Sequence, residues 1–452
     1  MKHLSIFFLS IALFSVATAQ TINQKLQKAY EQFLNDEQLK YATSSLYVID
    51  ATTGKPVFDK NSRVGLAPAS TQKIITSVTA YEVLGRDFRY ETQFGILNKD
   101  GKQTLYIKPS GDPTFGSWRW ENTKEENTWK RIRAAFQTEK LNDNLAYIDA
   151  NGWPSSIVPE GWIWQDIGNY YGAGSIFFNW RENQFDVMLK SGPNIGDPVS
   201  IVGTKPAMKE YRMISEVKSA AKGTGDNAYI YLPVNADHAI IRGTIPVNEN
   251  NFVISGSMIN PATQFLSGLS LNATTALMNY AENAANVQPR ILHIERSPSL
   301  DSIIYWFNRR SINLYGEALI QRIAFEKNGK ASTSDGLSVL RKLWKDQGID
   351  EEELNMYDGS GLSPLNRVTT HSQVEILRYA KSKDWFPAFF DALPEFNKMK
   401  MKSGTIADVK GFCGYHRSSD GKEYIFSFLV NNYSGRASTL VNKMYKVLDV
   451  LK

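Results

Sequence analysis

Three short polar motifs contain side chains of the types that carry out acyl transfer. In chain order they are Ser70-Thr-Gln-Lys73, Ser311-Ile-Asn313 and Lys402-Ser-Gly-Thr405. A serine hydroxyl is a weak nucleophile, and it attacks a carbonyl carbon efficiently only where a neighbouring base takes its proton. Each motif combines a serine with a lysine or an amide, so together they indicate nucleophilic serine chemistry.

The first motif places a candidate base beside a candidate nucleophile. Residues three apart share one face of a helix, so the ammonium group of Lys73 can approach the hydroxyl group of Ser70. The N-terminus of a helix also favours developing negative charge. Burial and a neighbouring positive charge would lower the pKa of Lys73, which could then act as the base for Ser70.

The spacing of this motif is a weak signal on its own because it recurs along the chain. Similar spacings occur at Ser215/Lys218, Ser219/Lys222, Ser419/Lys422 and, for the third motif, Lys190-Ser-Gly192. A helix cap with a solvated lysine, or a turn in the case of Lys190, explains these copies. Only the Ser70 copy follows Pro68-Ala69 and precedes an apolar helical pattern. We therefore predict Ser70 and Lys73 as the catalytic pair.

The other two motifs supply groups that the reaction still needs. A second hydroxyl, from Ser311, can relay a proton to the leaving amine. The amide of Asn313 can hold a substrate carbonyl and the lysine of the first motif. In the third motif Lys402 adds positive charge, Gly404 allows a substrate backbone to pair with the strand edge, and Thr405 can bind a carboxylate.

The order of the motifs carries further information. Ser-x-x-Lys, Ser-x-Asn and Lys-Ser/Thr-Gly, in this order, form the signature of penicillin-binding proteins and serine β-lactamases. The gap between Lys73 and Ser311 is far longer than in a minimal β-lactamase. The mature chain as a whole resembles the class C low-molecular-mass penicillin-binding proteins, of the penicillin-binding protein 4 type. The other segments that carry this resemblance are Ser110-Gly-Asp-Pro-Thr114, Gly161-Trp-Ile-Trp-Gln-Asp166, Tyr171-Gly-Ala-Gly-Ser175, Gly196-Asp-Pro198 and Asp358-Gly-Ser-Gly-Leu-Ser363.

The resemblance implies both a fold and an activity. The fold is a transpeptidase-like domain that carries all three motifs, with two nested domains inserted after the Ser-x-x-Lys helix. The activity is that of a D-alanyl-D-alanine carboxypeptidase and endopeptidase on peptidoglycan peptides, with acylation by β-lactams as inhibitors. The backbone N–H groups of Ser70 and Thr405 would form the oxyanion hole.

Several expected substrate contacts also follow from the resemblance. Ser403, Gly404 and Thr405 would bind the substrate backbone, with Ser403 at a position where threonine is usual. Pro364 stands where the family often has a polar or basic residue, which affects side-chain recognition. Asp166 would bind the ammonium group of the stem-peptide diamino acid, although a solvated loop carboxylate or a cap is the alternative.

An aromatic-rich stretch surrounds Asp166, and Ser360 lies in a second glycine-rich segment. The stretch contains Trp153, Trp162, Trp164, Tyr170, Tyr171, Phe177, Phe178 and Trp180. Packing where the insertion meets the catalytic domain explains these rings more simply than stacking on glycan. The Asp-Gly-Ser-Gly sequence around Ser360 favours a turn over a nucleophile.

The elements around the motifs predict an α/β (α+β) fold with more than one domain. Helices are expected at 22–39, 70–84, 261–283, 298–309, 312–326, 335–346, 370–382 and 436–451. Strands are expected at 46–49, 56–58, 90–97, 104–107, 144–149, 199–202, 229–232, 239–242, 251–255, 406–415 and 424–430. We predict a penicillin-binding/β-lactamase-like catalytic domain from 20–86 and 291–452. The β-rich segment 87–290 would form the nested insertions.

The first 19 residues predict export. A basic start at Lys2 precedes an apolar run from Leu4 to Val16, and Ala17-Thr-Ala19 is a small-x-small cleavage site. The run is too short to span a bilayer, which favours a signal peptide over an N-terminal anchor. No later stretch reaches the length of a membrane span. The mature protein is therefore expected to be periplasmic or secreted.

The composition excludes several kinds of partner. A net charge of +5 over 452 residues, without a basic tract, gives no nucleic-acid signature. The five histidines are scattered, so we predict no metal site and no cofactor. A single cysteine, Cys413, excludes an internal disulfide framework. Its strand-like surroundings favour a buried small residue over a catalytic thiol.

Two other functions remain compatible with the motifs. A β-lactamase would use the same nucleophile, but no glutamate for fast deacylation can be identified, and the long insertion would have no obvious purpose. A wall-binding module that has lost catalysis would not need the intact set of Ser70, Lys73, Ser311, Asn313 and Lys402.

Overall fold

The computed structural model describes residues 20–99, 101–141, 144–154, 158–208, 212–232, 238–271, 275–279 and 288–452. The predicted signal peptide, residues 1–19, lies outside the described residues. The helices within those ranges are α1 Ile22–Leu34, α2 Lys73–Leu84, α3 Glu125–Ala135, α4 Trp164–Ile167, α5 Pro261–Leu269, α6 Leu300–Arg310, α7 Asn313–Asn328, α8 Thr333–Asp346, α9 Thr370–Lys381, α10 Phe386–Ala392 and α11 Ala437–Leu448. In the described part of the chain, no helix is both long enough and apolar enough to cross a membrane.

The strands fall into several sheets. In chain order they are β1 Thr43–Asp50, β2 Pro56–Lys60, β3 Glu91–Lys99, β4 Lys102–Lys108, β5 Leu145–Asp149, β6 Gln184–Lys190, β7 Ser200–Lys205, β8 Arg212–Ser215, β9 Lys218–Ala220, β10 Asn227–Tyr231, β11 His238–Pro246, β12 Phe252–Ser257, β13 Thr275–Asn279, β14 Arg290–Arg296, β15 Leu354–Asn355, β16 Arg367–Val368, β17 Glu395–Phe396, β18 Met399–Ile406, β19 Val409–Arg417 and β20 Glu423–Asn431. The largest sheet has six strands in the order β17-β18-β19-β20-β1-β2. Since β1 and β2 come from the start of the chain and the others from its end, the two ends of the chain form one sheet.

Helices cover both faces of this sheet. Successive residues of a strand point to opposite faces, and β1 follows this rule. Leu46 and Val48 lie in an apolar cluster with α1 and α11, whereas Tyr47 and Ile49 lie in a second cluster with α2, α7 and α9. The second cluster contains the helices that carry the first two motifs, so the sheet and these helices share one core.

The middle of the chain forms separate sheets with cores of their own. One sheet has the order β13-β5-β4-β3-β14, a second has β12-β6-β7, and a third has β10-β11-β8 with β9 also paired to β11. One apolar cluster lies on the five-stranded sheet, and another joins the two smaller sheets. The expected domain boundary between 290 and 291 falls at the first residue of β14, which pairs with β3.

Two predicted elements are wrong. The helix predicted at 261–283 ends at Leu269, with Ser270 in a left-handed conformation (φ 56°), and Thr275–Asn279 forms β13 instead. Residues 272–274 and 280–287 of that prediction lie outside the described residues. Residues 406–415, predicted as one strand, contain the last residue of β18, a turn at Ala407-Asp408 and the first part of β19. Short apolar runs do not distinguish helix from strand, and this turn lacks the usual Asn-Gly signal.

Candidate active site

Ser70 lies in a tight turn that leads into α2. The turn, Ala69–Gln72, is a 3-10 helix, and Ala69 has a positive φ of 46°, which is uncommon for a residue with a side chain. Strand β18 passes directly beside it. A Cβ atom added to Gly404 would lie 2.6 Å from the carbonyl oxygen of Pro68 and 2.9 Å from the backbone nitrogen of Ser70. Gly404 is therefore needed for close packing on the turn that contains Ser70, a reason that the sequence did not indicate.

The side chain of Lys73 is fully buried and directed at Ser70. Its Nζ donates hydrogen bonds to Ser70 Oγ at 3.0 Å, to Asn313 Oδ1 at 2.7 Å and to the Ser360 carbonyl oxygen at 2.6 Å. An ammonium group would donate to all three oxygens, whereas a neutral amine has two hydrogens for Asn313 and Ser360 and a lone pair that can accept from the Ser70 hydroxyl. The arrangement holds the amine in line with the serine hydroxyl.

The second and third motifs meet above this pair. Ser311 lies between α6 and α7 in a left-handed conformation (φ 57°), and its Oγ accepts a 3.0 Å hydrogen bond from Lys402 Nζ. Lys402 is 2% exposed and also donates to the Ser403 carbonyl oxygen at 2.9 Å. Asn313 Nδ2 donates to the Tyr171 carbonyl oxygen at 2.7 Å. The three motifs thus converge through hydrogen bonds between side chains.

A cavity of about 640 Å³ opens over this cluster. Among the described residues, its walls include Ser70, Arg119, Ile163, Asp166, Tyr170, Tyr171, Arg310, Ser311, Asn313 and Thr405. Lys73 and Lys402 are buried beneath these residues. The structure therefore brings the five predicted catalytic residues together at the floor of the cavity, and it places Thr405 and Asp166 in the walls.

Comparison with known families identifies this architecture. The sequence model of the D-Ala-D-Ala carboxypeptidase 3 (S13) family matches residues 26–450. The chain belongs to this family. The carboxypeptidase is 24% identical to a D-alanyl-D-alanine carboxypeptidase of Actinomadura sp., over 92% of this chain and 83% of that protein. It is 23% identical to D-alanyl-D-alanine carboxypeptidase DacB of Haemophilus influenzae, over 84% of this chain and 83% of that protein.

Solved structures share the fold of the carboxypeptidase. Penicillin-binding protein 4 (dacB) of H. influenzae matches with a TM-score of 0.78 at 18% identity, covering 94% of this chain and 99% of that one. The same protein in complex with a β-lactam matches with a TM-score of 0.70 at 17% identity, covering 94% and 98%. The predicted fold class, the resemblance to the penicillin-binding protein 4 type and the class of serine-type carboxypeptidase are confirmed.

Burial dominates the electrostatics of the two lysines in the carboxypeptidase. It is the main reason that the pKa of Lys73 is well below its usual value, and the charge of Lys402 lowers that pKa further. The carboxyl groups of Asp358 and Glu317 act in the opposite direction. The sequence predicts both causes of this lowering, burial and a neighbouring positive charge. Burial also lowers the pKa of Lys402 to about 7, with the charge of Lys410 contributing.

Sequence reasoning missed the contribution of Asp358 to the site. This buried carboxylate fixes the loop from which the Ser360 carbonyl reaches Lys73. Its donors are Gln72 Nε2, Asn366 Nδ2, Trp162 Nε1 and the backbone N–H groups of Gly361 and Ser363. The signal was present in Asp358-Gly-Ser-Gly, but a loop sequence does not reveal which carbonyl faces which lysine. The expectation that Ser360 is a turn residue and not a nucleophile agrees with this irregular loop.

Glu317, which was also missed, holds the same loop from the side of α7. Both of its carboxylate oxygens accept from the Gly359 N–H group at 3.1 Å. Burial and the charge of Asp358 raise the pKa of Glu317 to about 8. Helix and loop are in close contact, since a Cβ atom added to Gly359 would lie 2.3 Å from the Gly316 carbonyl oxygen. The loop is thus clamped between the helices of the first two motifs.

The aromatic stretch divides into a core part and an exposed part. Phe177, Phe178 and Trp180 lie in the core of the five-stranded sheet, and Trp153 stacks on Phe325 of α7 at 5.6 Å, as expected for domain packing. Trp164 and Tyr170 are 48% and 52% exposed, and Tyr170 lines the cavity.

Asp166 lies on the cavity side of the same stretch. Burial raises the pKa of its carboxyl group, and the nearby Tyr171 hydroxyl acts in the opposite direction. The position is compatible with the predicted contact to an ammonium group, and it excludes a fully solvated loop residue.

The other residues that the sequence offered as a nucleophile or a base lie outside the cavity wall. Cys413 is fully buried in β19, and burial raises the pKa of its thiol, which opposes a catalytic role. Lys218 and Ser219 lie in β9 rather than at a helix start, and Lys190 ends β6. Among the described residues that line the cavity, none belongs to these copies of the motifs.

Proposed function

We propose that this carboxypeptidase is an exported enzyme that cleaves peptidoglycan stem peptides and their crosslinks through an acyl-enzyme at Ser70. The observation that carries the proposal is the 3.0 Å hydrogen bond between Lys73 Nζ and Ser70 Oγ in a fully buried setting. A lysine held neutral by burial has a lone pair for the serine proton.

Acylation begins when Ser70 Oγ attacks the carbonyl carbon of the penultimate D-Ala. Lys73 takes the hydroxyl proton, and the backbone N–H groups of Ser70 and Thr405 stabilise the oxyanion. The C–N bond then breaks as Ser311, which accepts a hydrogen bond from Lys402, gives its proton to the leaving amine and takes up the proton held by Lys73, so that Lys73 is neutral again. The products of this half-reaction are an ester at Ser70 and a free D-Ala, or a free diamino acid side chain when a crosslink is cut.

Deacylation uses the same groups in reverse. A water molecule gives up a proton to Lys73 and attacks the ester carbonyl, and Ser70 regains its hydroxyl proton as it leaves. Asn313 is hydrogen-bonded to both Lys73 and the Tyr171 carbonyl, so its amide is rigidly placed at the cavity floor. We assign to Asn313 and Thr405 the role of holding the peptide during both steps.

The relatives support a D-Ala-D-Ala substrate and the binding of β-lactams. Two similar proteins are named as D-alanyl-D-alanine carboxypeptidases, and the structure of a protein with the same fold contains a bound β-lactam. Asp166 is the one carboxylate among the described residues that line the cavity, and the neighbouring Tyr171 hydroxyl acts on it. The described cavity wall thus offers no second carboxylate as a base for water, which favours slow release of a bound β-lactam over the fast deacylation of a β-lactamase.

Labelling of the purified protein with a fluorescent penicillin tests the acyl-enzyme. We expect a covalent label whose lifetime is much longer than the time of one turnover on a peptide substrate. Rapid release would instead identify a β-lactamase, and the absence of any label would identify a module without catalysis.

Mass analysis of products from digested peptidoglycan tests the two peptidase activities. Loss of one D-Ala from monomeric peptides reports the carboxypeptidase, and conversion of crosslinked dimers to monomers reports the endopeptidase. We expect both, whereas dimers that persist while D-Ala is released would restrict the function to carboxypeptidase.

Export is tested by sequencing the N-terminus of the protein recovered from cells. Cleavage after Ala19 would leave Gln20 as the first residue. A retained Met1 on the protein from the cell envelope would contradict the signal peptide and indicate an anchor.

A further inference from the structure

A further buried cation lies behind the cavity wall, on the strand next to the third motif. Lys410 of β19 is directly opposite Thr405 of β18 in the strand register. Its Nζ donates a 2.7 Å hydrogen bond to Thr405 Oγ1 and lies 4.9 Å from the centre of the Phe412 ring. Only 9% of Lys410 is exposed. The strand pairing thus directs a positive charge at one hydroxyl of the cavity wall.

The charge of Lys410 lacks a counter-ion within the ranges that the structure describes, where no carboxylate lies within ion-pair distance of it. Burial lowers the pKa of Lys410 to about 8. A buried ammonium group without a carboxylate is costly, and an anion that enters the cavity would offset that cost. The catalytic chemistry does not need this lysine, because Lys73 and Lys402 already bond to Ser70 and Ser311.

The hydroxyl group of Thr405 connects Lys410 to the cavity. A threonine hydroxyl has one hydrogen to donate and two lone pairs that accept. Because Oγ1 accepts from Lys410, its own hydrogen is free to donate to a ligand, and hydrogen bonds in such a chain strengthen one another. Thr405 is exposed to the cavity, where the expected ligand of its hydroxyl is a carboxylate.

We propose that Lys410 is a positioning residue for recognition of the substrate's terminal carboxylate. It holds the Thr405 hydroxyl with the hydrogen directed into the cavity and adds positive charge behind that hydroxyl. The inference rests on the proposed function, since a peptide that ends in D-Ala-D-Ala supplies the carboxylate. It assigns a role in specificity to a residue outside the three motifs.

The test compares a peptide that ends in D-Ala-D-Ala with the same peptide as its C-terminal amide. In Lys410→Met we expect KM for the acid to rise about tenfold, the effect of losing about 1.4 kcal/mol of charge-assisted binding, with kcat nearly unchanged. For the amide we expect little change in either constant. The preference for acid over amide should therefore fall about tenfold, and Lys410→Arg should restore most of it.

Lys400→Met is the matched control. Lys400 lies on β18, donates one hydrogen bond of 3.2 Å to the Leu393 carbonyl oxygen and lies 5.6 Å from the Phe390 ring, but does not contact Thr405. Its replacement should leave the acid-to-amide preference unchanged. If Lys410→Met does not fold, Lys410→Gln removes the charge while keeping a donor to Thr405, and a fall in preference that is measurable but smaller than tenfold is expected.

A double substitution separates positioning from general stabilisation. If Lys410 acts through Thr405, Lys410→Met should cost little more in a Thr405→Ala background. Three results would overturn the role of Lys410 while wild-type turnover persists. They are an unchanged acid-to-amide preference in folded Lys410→Met, an equal loss on both peptides, and additive effects in the double variant. A wild-type protein that neither cleaves the acid peptide nor takes a penicillin label would overturn the proposed function, and this inference with it.

Discussion

The floor and the outer wall of the cavity are built in different ways. At the floor, Lys73 and Lys402 are almost completely buried, and each makes hydrogen bonds to groups on other elements. The wall that the inserted region contributes contains Asp166 on the four-residue helix α4, with Tyr170 half exposed beside it. The contrast indicates that the groups proposed for the chemistry are preorganised, whereas the group proposed for substrate recognition lies on a short, exposed element.

A hydrogen bond joins the two regions. Asn313 accepts from Lys73 through Oδ1 and donates to the Tyr171 carbonyl through Nδ2. The hydroxyl of Tyr171 in turn lies near the carboxyl group of Asp166 and lowers its pKa, against the larger effect of burial. Substitutions at the floor should therefore remove the reaction, and substitutions in the wall should change which peptides react.

The largest effect is expected from removal of the nucleophile. Ser70→Ala should abolish both covalent penicillin labelling and D-Ala release. The reason is that Ser70 lines the cavity, whereas the serines of the repeated motifs, Ser215, Ser219 and Ser419, do not. The protein should keep its melting temperature, since the partly exposed hydroxyl of Ser70 contributes little to the core. Mass spectrometry of the penicillin-treated protein measures the labelling, and thermal unfolding measures the melting temperature. A folded Ser70→Ala protein that still takes label would show that another serine is the nucleophile.

Replacement of Lys73 by arginine should be nearly as damaging as replacement by alanine. A guanidinium group keeps the charge but does not release its proton near neutral pH. The rate of acylation by penicillin in Lys73→Arg and Lys73→Ala measures this. An active Lys73→Arg enzyme would show that Lys73 acts only through its positive charge. It would contradict the assignment of proton transfer to the floor of the cavity.

The pH dependence of acylation tests the coupling between the lysines. Lys73 must be neutral to act as a base, and the charge of Lys402 lowers its pKa. Lys402→Gln removes that charge, so the pKa of Lys73 rises and the acidic limb of the acylation profile moves to higher pH. Because the pKa of Lys402 is about 7, the difference should be largest below that pH.

Lys402→Arg is the control for this shift, since it keeps the positive charge at all pH values tested. Its acidic limb should stay at or below the wild-type position. An unchanged limb in Lys402→Gln would leave burial alone as the cause of the low pKa of Lys73.

A smaller and more selective effect is expected in the wall. Asp166→Asn should raise KM about tenfold for peptides with a free ammonium group on the diamino acid, because the charge-assisted bond is lost. Peptides acetylated on that group should react as with the wild type. Asp149→Asn is a matched control, because Asp149 is also an aspartate beside a tyrosine hydroxyl, that of Tyr106, which donates to it at 2.9 Å, but lies outside the cavity wall. Equal losses on both peptides would assign Asp166 a structural role.

The smallest effects should come from the repeated motifs elsewhere in the chain. Alanine at Ser215, Ser219, Ser419 or Lys190 should change turnover by less than about tenfold, or about 1.4 kcal/mol of barrier. Steady-state rates on the D-Ala-D-Ala peptide provide the measurement. A hundredfold loss at any of these positions would contradict the choice of Ser70.

The sequence by itself determined the chemical groups and most of the elements of the catalytic part. Ser70 and Lys73 are three residues apart, so local geometry alone brings them together once the turn and α2 form. Helices with regular apolar periodicity, such as α7 and α9, were predicted to within about two residues because that signal is local. The order of the motifs indicated the family.

Only the tertiary structure decided how the motifs are held and what surrounds them. The Ser360 carbonyl reaches Lys73 because Asp358 and Glu317 fix a distant loop, and no local pattern encodes that contact. Lys410 faces Thr405 because the turn at Ala407-Asp408 sets the strand register, and a shift of one residue would direct Lys410 to the other face. Contacts between residues far apart in the chain depend on the packing of whole elements, which single-sequence periodicity does not specify.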